Sequence, residues 1–150
     1  MWKEDLQFIE ERTQRRDKKL NEGLSDDEYY RLTAAIKVTL NKVLPSEYIH
    51  FLGLHNGIEF NGYSLYGADE DIIPKINAGI VYGIIERNEL WYEVEDNRKY
   101  LFLGESGESI FVFDSLMNVY RLLDSPSGSE ITEFTKLDEL LDAFFELSTL

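Results

Sequence analysis

Few residues in this chain are of a type that carries chemistry. His50 and His55 are its two histidines, and cysteine is absent. At about 3.6 residues per turn, side chains five apart on a helix point ~140° from each other, so the two imidazoles cannot share a metal as an i, i+4 pair does. The lack of cysteine excludes a disulfide scaffold, a Cys-ligated zinc site, an iron–sulfur cluster and thiol catalysis. Gly104-Glu105-Ser106-Gly107-Glu108 approaches the Gly-x-Ser-x-Gly nucleophile elbow. It carries Glu where the last Gly must be, and it falls between two predicted strands rather than at a strand-to-helix turn. It therefore reads as a hairpin turn. Neither Gly-x-Gly-x-x-Gly nor a phosphate-binding loop with Lys-Ser/Thr occurs. Asp69-Glu70-Asp71 could touch a hard cation, but it lacks the glycine and the distal glutamate of a calcium loop. Among 29 acids no spacing picks out a carboxylate pair for glycoside chemistry. The sequence thus assigns no catalytic residue, no metal ligand and no cofactor, and the chain is expected not to be an enzyme.

The elements that would position any site follow from periodicity. Residues 1–22 read as a helix with a thin apolar stripe, Trp2, Leu6 and Ile9, followed by an all-polar run from Glu10 to Lys19. Ser25-Asp26-Asp27-Glu28 is a capping box that opens a second helix, with Tyr29, Leu32, Ile36, Leu40 and Val43 on its apolar side. Pro45 is expected at the first position of a third helix, which His55-Asn56-Gly57 ends. Asn61-Gly62 between apolar flanks marks a hairpin over 58–67. Residues 77–93 are ambiguous, with a helix expected near 86–93. Strands are expected at 99–104, 109–114 and 119–123, joined by turn-sized connections into a meander, with a short edge strand at 131–135. Leu137, Leu140, Leu141, Phe144 and Phe145 have clean helical spacing for a last helix over 136–147. Helices first, strands grouped, one closing helix: this order predicts an α+β fold, a mainly antiparallel sheet of four to six strands with helices packed on one face. Residues 1–24 are expected to be a loosely attached helical extension of a domain spanning 25–150.

Charge is the extreme property. The 150 residues carry 29 acids and 15 bases, net −14. Residues 1–22 hold six of each, so the whole imbalance lies in residues 23–150. A field of that sign repels nucleic acid and anionic membrane and attracts basic proteins. Phe102, Phe111, Phe113 and Tyr120 fall on adjacent predicted strands, but stacking of nucleic-acid bases also needs positive charge, and residues 99–123 hold only Lys99 and Arg121 against Glu105, Glu108 and Asp114. These rings are expected to be core. The start of the chain has no secretory pattern, and the longest apolar run, 78–85, is far short of the ~20 residues that span a bilayer. The expected location is the cytoplasm.

Leu44-Pro45-Ser46-Glu47-Tyr48-Ile49-His50-Phe51-Leu52, followed by Asn56-Gly57, resembles the signature of the SUKH superfamily, which includes fungal cell-wall-assembly regulators and many bacterial proteins. Phe60-x-Gly62, Leu65-Tyr66-Gly67, Tyr100-Leu101-Phe102-Leu103-Gly104, Phe113-Asp114 with Tyr120, and the helix from Leu137 to Phe145 look similar in the same order. Trp2-Lys3-Glu4 and Leu65-Tyr66-Gly67 look closest to the YrhA-like bacterial branch. The resemblance spans about residues 25–147. It implies an α+β fold without a catalytic constellation and, for bacterial members, service as an immunity protein that binds and neutralises a toxin domain. The fungal relatives imply the alternative, a regulator or scaffold for an endogenous partner. The resemblance carries over no contact residue. Charge alone nominates the surface for a basic protein partner: Asp69, Glu70 and Asp71, with Glu93, Glu95 and Asp96.

Overall fold

The computed structural model describes residues 1–16, 18–74 and 81–150. Asp17 and the first four residues of the ambiguous stretch 77–93 lie outside the described residues. Among the described residues six strands form one antiparallel sheet in chain order. They are β1 Ile58–Phe60, β2 Tyr63–Leu65, β3 Tyr100–Glu105, β4 Ser109–Asp114, β5 Val119–Asp124 and β6 Glu130–Phe134. The α+β expectation holds. The β1–β2 turn is made by Asn61 (φ 52°) and Gly62 (φ 79°), the two positive angles that a tight two-residue hairpin requires.

Register sorts the side chains onto two faces. Phe111 pairs with Leu122 and Phe113 with Tyr120, so these four share a face. Helix α5 (Leu137–Ser148) lies against it. Its Phe144 meets Phe111 edge-on at 5.2 Å and Tyr63 at 5.8 Å. From α3 (Ser46–Leu52), Glu47 reaches the same face and accepts a hydrogen bond from the Tyr120 hydroxyl at 3.1 Å. The rings once weighed for base stacking, Phe102, Phe111, Phe113 and Tyr120, are all buried. On the opposite face Arg121 gathers Asp114 at 3.1 Å, Glu133 at 2.8 Å and Glu130. This charged cover lies along β6, the exposed outer strand, where charge opposes pairing with another chain.

The helices start and stop for local reasons. In α2 (Asp26–Leu40) the Ser25 hydroxyl accepts from the Glu28 N–H, and the Glu28 carboxylate accepts from the Ser25 N–H, as the capping box predicts. Asn41 ends α2 in the left-handed conformation, φ 54°. Pro45 sits one position earlier than expected, as the N-cap of α3 rather than its first residue.

The loosely attached N-terminal extension is not what the structure shows. Helix α1 (Trp2–Arg15) buries Trp2, Leu6 and Ile9 in the same core cluster as the sheet. The Trp2 indole N–H donates to Asp138 at 3.0 Å and its backbone N–H to Asp142 at 2.6 Å, both on α5. Its ring stacks on Phe145 and meets Phe51 edge-on. The following segment is stitched to the end of α3: Leu24 N–H donates to Leu52 O at 2.8 Å, Asn56 N–H to Glu22 O at 3.0 Å, and the Asn21 amide to Asn56 O at 2.9 Å. No seam in the core marks the expected boundary at residue 24.

The edge of β3 explains the position of α4 (Ile84–Trp91). Strand β2 pairs with β3 only through Ser64 with Glu105 and Leu65 with Gly104. The first half of β3 is therefore left without a strand on that side. The buried Asn88 of α4 takes the strand's place. Its carboxamide accepts from Phe102 N–H at 2.7 Å and donates to Phe102 O at 2.9 Å and Ile84 O at 2.8 Å. Trp91 stacks flat on Phe102, ring centres 4.8 Å apart, and the Tyr92 hydroxyl donates to Tyr100 O.

Two substitutions test this architecture. Ile9→Ala removes a side chain with no exposed surface; as part of the core it should cost about 2–4 kcal/mol in urea unfolding, whereas a loosely attached helix would lose almost nothing. Asn88→Leu keeps the branched shape but orphans the Phe102 N–H and carbonyl. It should cost about 3 kcal/mol, seen as a melting temperature lower by about 6–12 °C.

Candidate partner-binding surface along α4

The two acidic clusters nominated by charge are separated by more than twenty residues in sequence but lie at the two ends of one helix. Eight residues of α4 span about 12 Å at ~1.5 Å per residue. The 69–71 loop meets its N-terminus, and Glu93 follows its C-terminus.

Asp69 is not a surface residue. It is 7% exposed, and its carboxylate caps α4, accepting from Ile85 N–H and Glu86 N–H, each at 2.9 Å. These are two of the donors that a helix start leaves unpaired. The cap fits because residue 83 is glycine: a Cβ there would fall 2.3 Å from Asp69 Oδ2. Burial raises the Asp69 carboxyl above its ordinary value against the pull of these two N–H donors, and the nearby Asp71 charge raises it further. Spacing alone gave no sign of this, because the capped groups lie 16 and 17 residues downstream.

Glu70 and Asp71 are exposed, as expected of a binding surface, and so are Glu93, Glu95 and Asp96. The second cluster divides in the structure. Glu95 and Asp96 begin a 3-10 turn (Glu95–Lys99) and pair with Arg98 at 3.1 Å and Lys99 at 3.2 Å. Exposed pairs of this kind are worth little, but they offset part of the local charge. Among the described residues, no salt bridge engages Asp71, Glu86, Glu89 or Glu93.

The residues that join the clusters were missed in the sequence. Glu86, Glu89 and Glu93 recur at spacings of three and four along α4 and its end, and all are exposed, which is one helix face. Leu90 (47% exposed) and Val94 (61%) stand beside them. The signal existed as spacing, but it becomes readable only once 84–91 is known to be helix. At the N-terminal end this face borders a groove of about 700 Å³ lined by Thr39 of α2, Glu70, Asp71, Tyr82, Glu86 and Glu89 among others.

A second set of contacts locks α4 in rotation. Arg87 pairs with Glu105 of β3, and its guanidinium lies 4.5 Å from the Tyr82 ring centre. The Tyr66 hydroxyl donates to Glu105 at 2.7 Å and accepts from the Trp91 indole N–H at 3.0 Å. Burial, then the Glu105 charge, pushes the Tyr66 phenol far up, so it stays a donor at every physiological pH. With Arg87 and Trp91 turned toward the sheet edge, Glu86, Glu89 and Leu90 must face out.

The remaining candidate chemistry resolves into structure. His55 bridges Asn21 O at 2.8 Å and Glu10 at 2.9 Å, and His50 is exposed. Ser106 serves the β3–β4 turn: its hydroxyl oxygen accepts from Ser109 N–H at 3.0 Å and Glu108 N–H at 3.2 Å. Among the described residues no three His, Asp or Glu side chains gather as a metal site, and no helix is long and apolar enough to cross a membrane.

No family model and no curated protein matches this chain.

The Asp69 cap predicts a pH dependence. A carboxyl whose pKa is raised on folding contributes stability that is fully present below its ordinary value, 3.8, and lost as pH rises through the raised value. Asp69→Asn should therefore flatten the urea-unfolding free energy above about pH 4 relative to the parent. The deficit of the variant, if any, should be largest at the acid end and shrink toward pH 7; a constant offset would show that Asp69 titrates alike in both states.

Proposed function

We propose that this protein is a non-enzymatic binding module that takes up a basic protein partner on the acidic face of α4, and that it acts in the cytoplasm as an immunity protein against a toxin domain. The observation that carries the binding reading is the run of exposed carboxylates from Glu70 and Asp71 through Glu86 and Glu89 to Glu93, of which Asp71, Glu86, Glu89 and Glu93 form no salt bridge among the described residues, with Leu90 and Val94 exposed beside it. Acid rows of this kind steer a basic partner and raise its association rate. Exposed apolar side chains next to them supply the surface that is desolvated after contact and sets the lifetime of the complex. A basic nuclease is a suitable target, since carboxylates can lie where its substrate phosphates would. The immunity role itself rests on the SUKH resemblance of residues 25–147. In that reading Tyr48 and Asn56 are scaffold: the Tyr48 hydroxyl donates to Tyr66 O, and the Asn56 amide oxygen accepts from Ala68 N–H at 2.7 Å.

The test is binding kinetics against the basic protein encoded beside this chain's gene, across a salt series. From 50 to 500 mM salt the association rate should fall by about tenfold or more, with a smaller change in dissociation. Asp71→Lys with Glu86→Lys and Glu89→Lys should slow association at low salt and leave folding intact. Leu90→Ala should speed dissociation instead. Asp69 stays untouched in this series, because a buried Lys there would unfold the start of α4. Association that ignores salt and survives the triple reversal would move the interface elsewhere. Binding to a basic protein that is not a toxin would favour the regulator reading.

A further inference from the structure

We infer that the cleft between the end of α1 and the β1–β2 hairpin is a binding site for a phosphate group, carried either as the free ion or on a nucleotide. Arg12, Arg16, Lys18 and Lys19 line a cavity of about 140 Å³ there, with Thr13 beside them. Among the described residues none of these four cations forms a salt bridge. That is unexpected in a chain with 29 acids to 15 bases, where each cation has a surplus of candidate partners. Glu10 of α1 is engaged with His55. Among the described residues Glu59 is the one acid of the lining, and its carboxylate accepts from Gly62 N–H at 3.3 Å.

Arginine in the last turn of a helix is ordinary, because it faces the negative end of the dipole. Arg12 has that explanation. Lys18 and Lys19 lie beyond the helix and do not. Among the described residues, four cations against one carboxylate leave an excess that a phosphate dianion offsets. The cleft has room for a phosphate group. Leu20, Ile58, Phe60 and Val81 form the apolar part of the lining, and a low-dielectric wall strengthens the attraction between the cations and the anion. The two guanidinium groups supply forked donors suited to phosphate oxygens.

The experiment uses the full chain. Melting temperature and isothermal titration are recorded with sodium phosphate, with AMP and with sodium chloride at matched ionic strength. Phosphate should raise the melting temperature where chloride does not, and Arg16→Gln with Lys19→Gln should abolish the shift. Both residues are exposed, so the variant's melting temperature in chloride should equal the parent's. AMP binding at least tenfold tighter than phosphate identifies a nucleotide ligand; equal affinity identifies the free ion. An equal response to chloride and phosphate, or a phosphate shift that survives in the double variant, overturns the site. Salt-reversible self-association without ligand, lost in the double variant, also overturns it, because the cations would then be serving another copy's acids. Partner kinetics in the double variant remain those of the parent, so this result and the proposed function stand or fall separately.

Discussion

The unfilled edge of β3 is the constraint from which the arrangement of the outer half of the molecule follows. Strand β2 is three residues long and covers only the far end of β3. The backbone groups of Tyr100 to Leu103 on that side must still be satisfied, since each buried one left alone costs about 1–3 kcal/mol. A longer strand would have solved this with a ladder. Here a helix solves it with side chains, Asn88 and Tyr92, while Tyr66 N–H closes on Leu103 O at 2.8 Å. Hydrogen bonds of defined direction fix the helix more tightly than an apolar stripe alone. Asp69 at its start and the Arg87–Glu105 pair along it then have one geometry available.

The electrostatics are uneven in a way that net charge conceals. Arg121 collects three acids on the sheet and offsets one of their three charges, and the 3-10 turn after α4 pairs its own charges. Like charges also stand side by side: carboxylates along α4 and cations at the end of α1. Retaining unpaired like charges side by side costs stability through repulsion. The fold carries that cost on a helix anchored by buried contacts, where a few tenths of a kcal/mol per pair is tolerable.

Sequence reading succeeded where cause and effect are close along the chain. The Ser25–Glu28 box, the Asn61-Gly62 turn, the three meander strands and the α5 spacing each depend on residues within a few positions. It failed where partners are distant. Trp2 is held by Asp138 and Asp142, more than 130 residues away, so a short stripe followed by polar residues looked detachable. Asn88 is one polar residue on a mostly polar helix until its contact with Phe102 is known. At the candidate surface the two acidic clusters were legible as charge. Their division into a buried cap, exposed carboxylates and locally paired carboxylates was not, because burial and pairing belong to the folded chain.

Asp69 and Gly83 share a single volume: the carboxylate lies where a Cβ of residue 83 would project. The two positions are therefore coupled in inheritance, and the coupling has an order. A lineage that first gives residue 83 a side chain evicts the cap and crosses a destabilised intermediate. One that first shortens residue 69 to a smaller cap such as serine keeps an acceptor for the helix start and makes room for the later change. Related chains should then show an aspartate with a glycine, or a shorter residue with a free choice at 83, and the fourth combination should be missing. Anyone recutting the acidic face for a new partner inherits the same sequence of permitted steps.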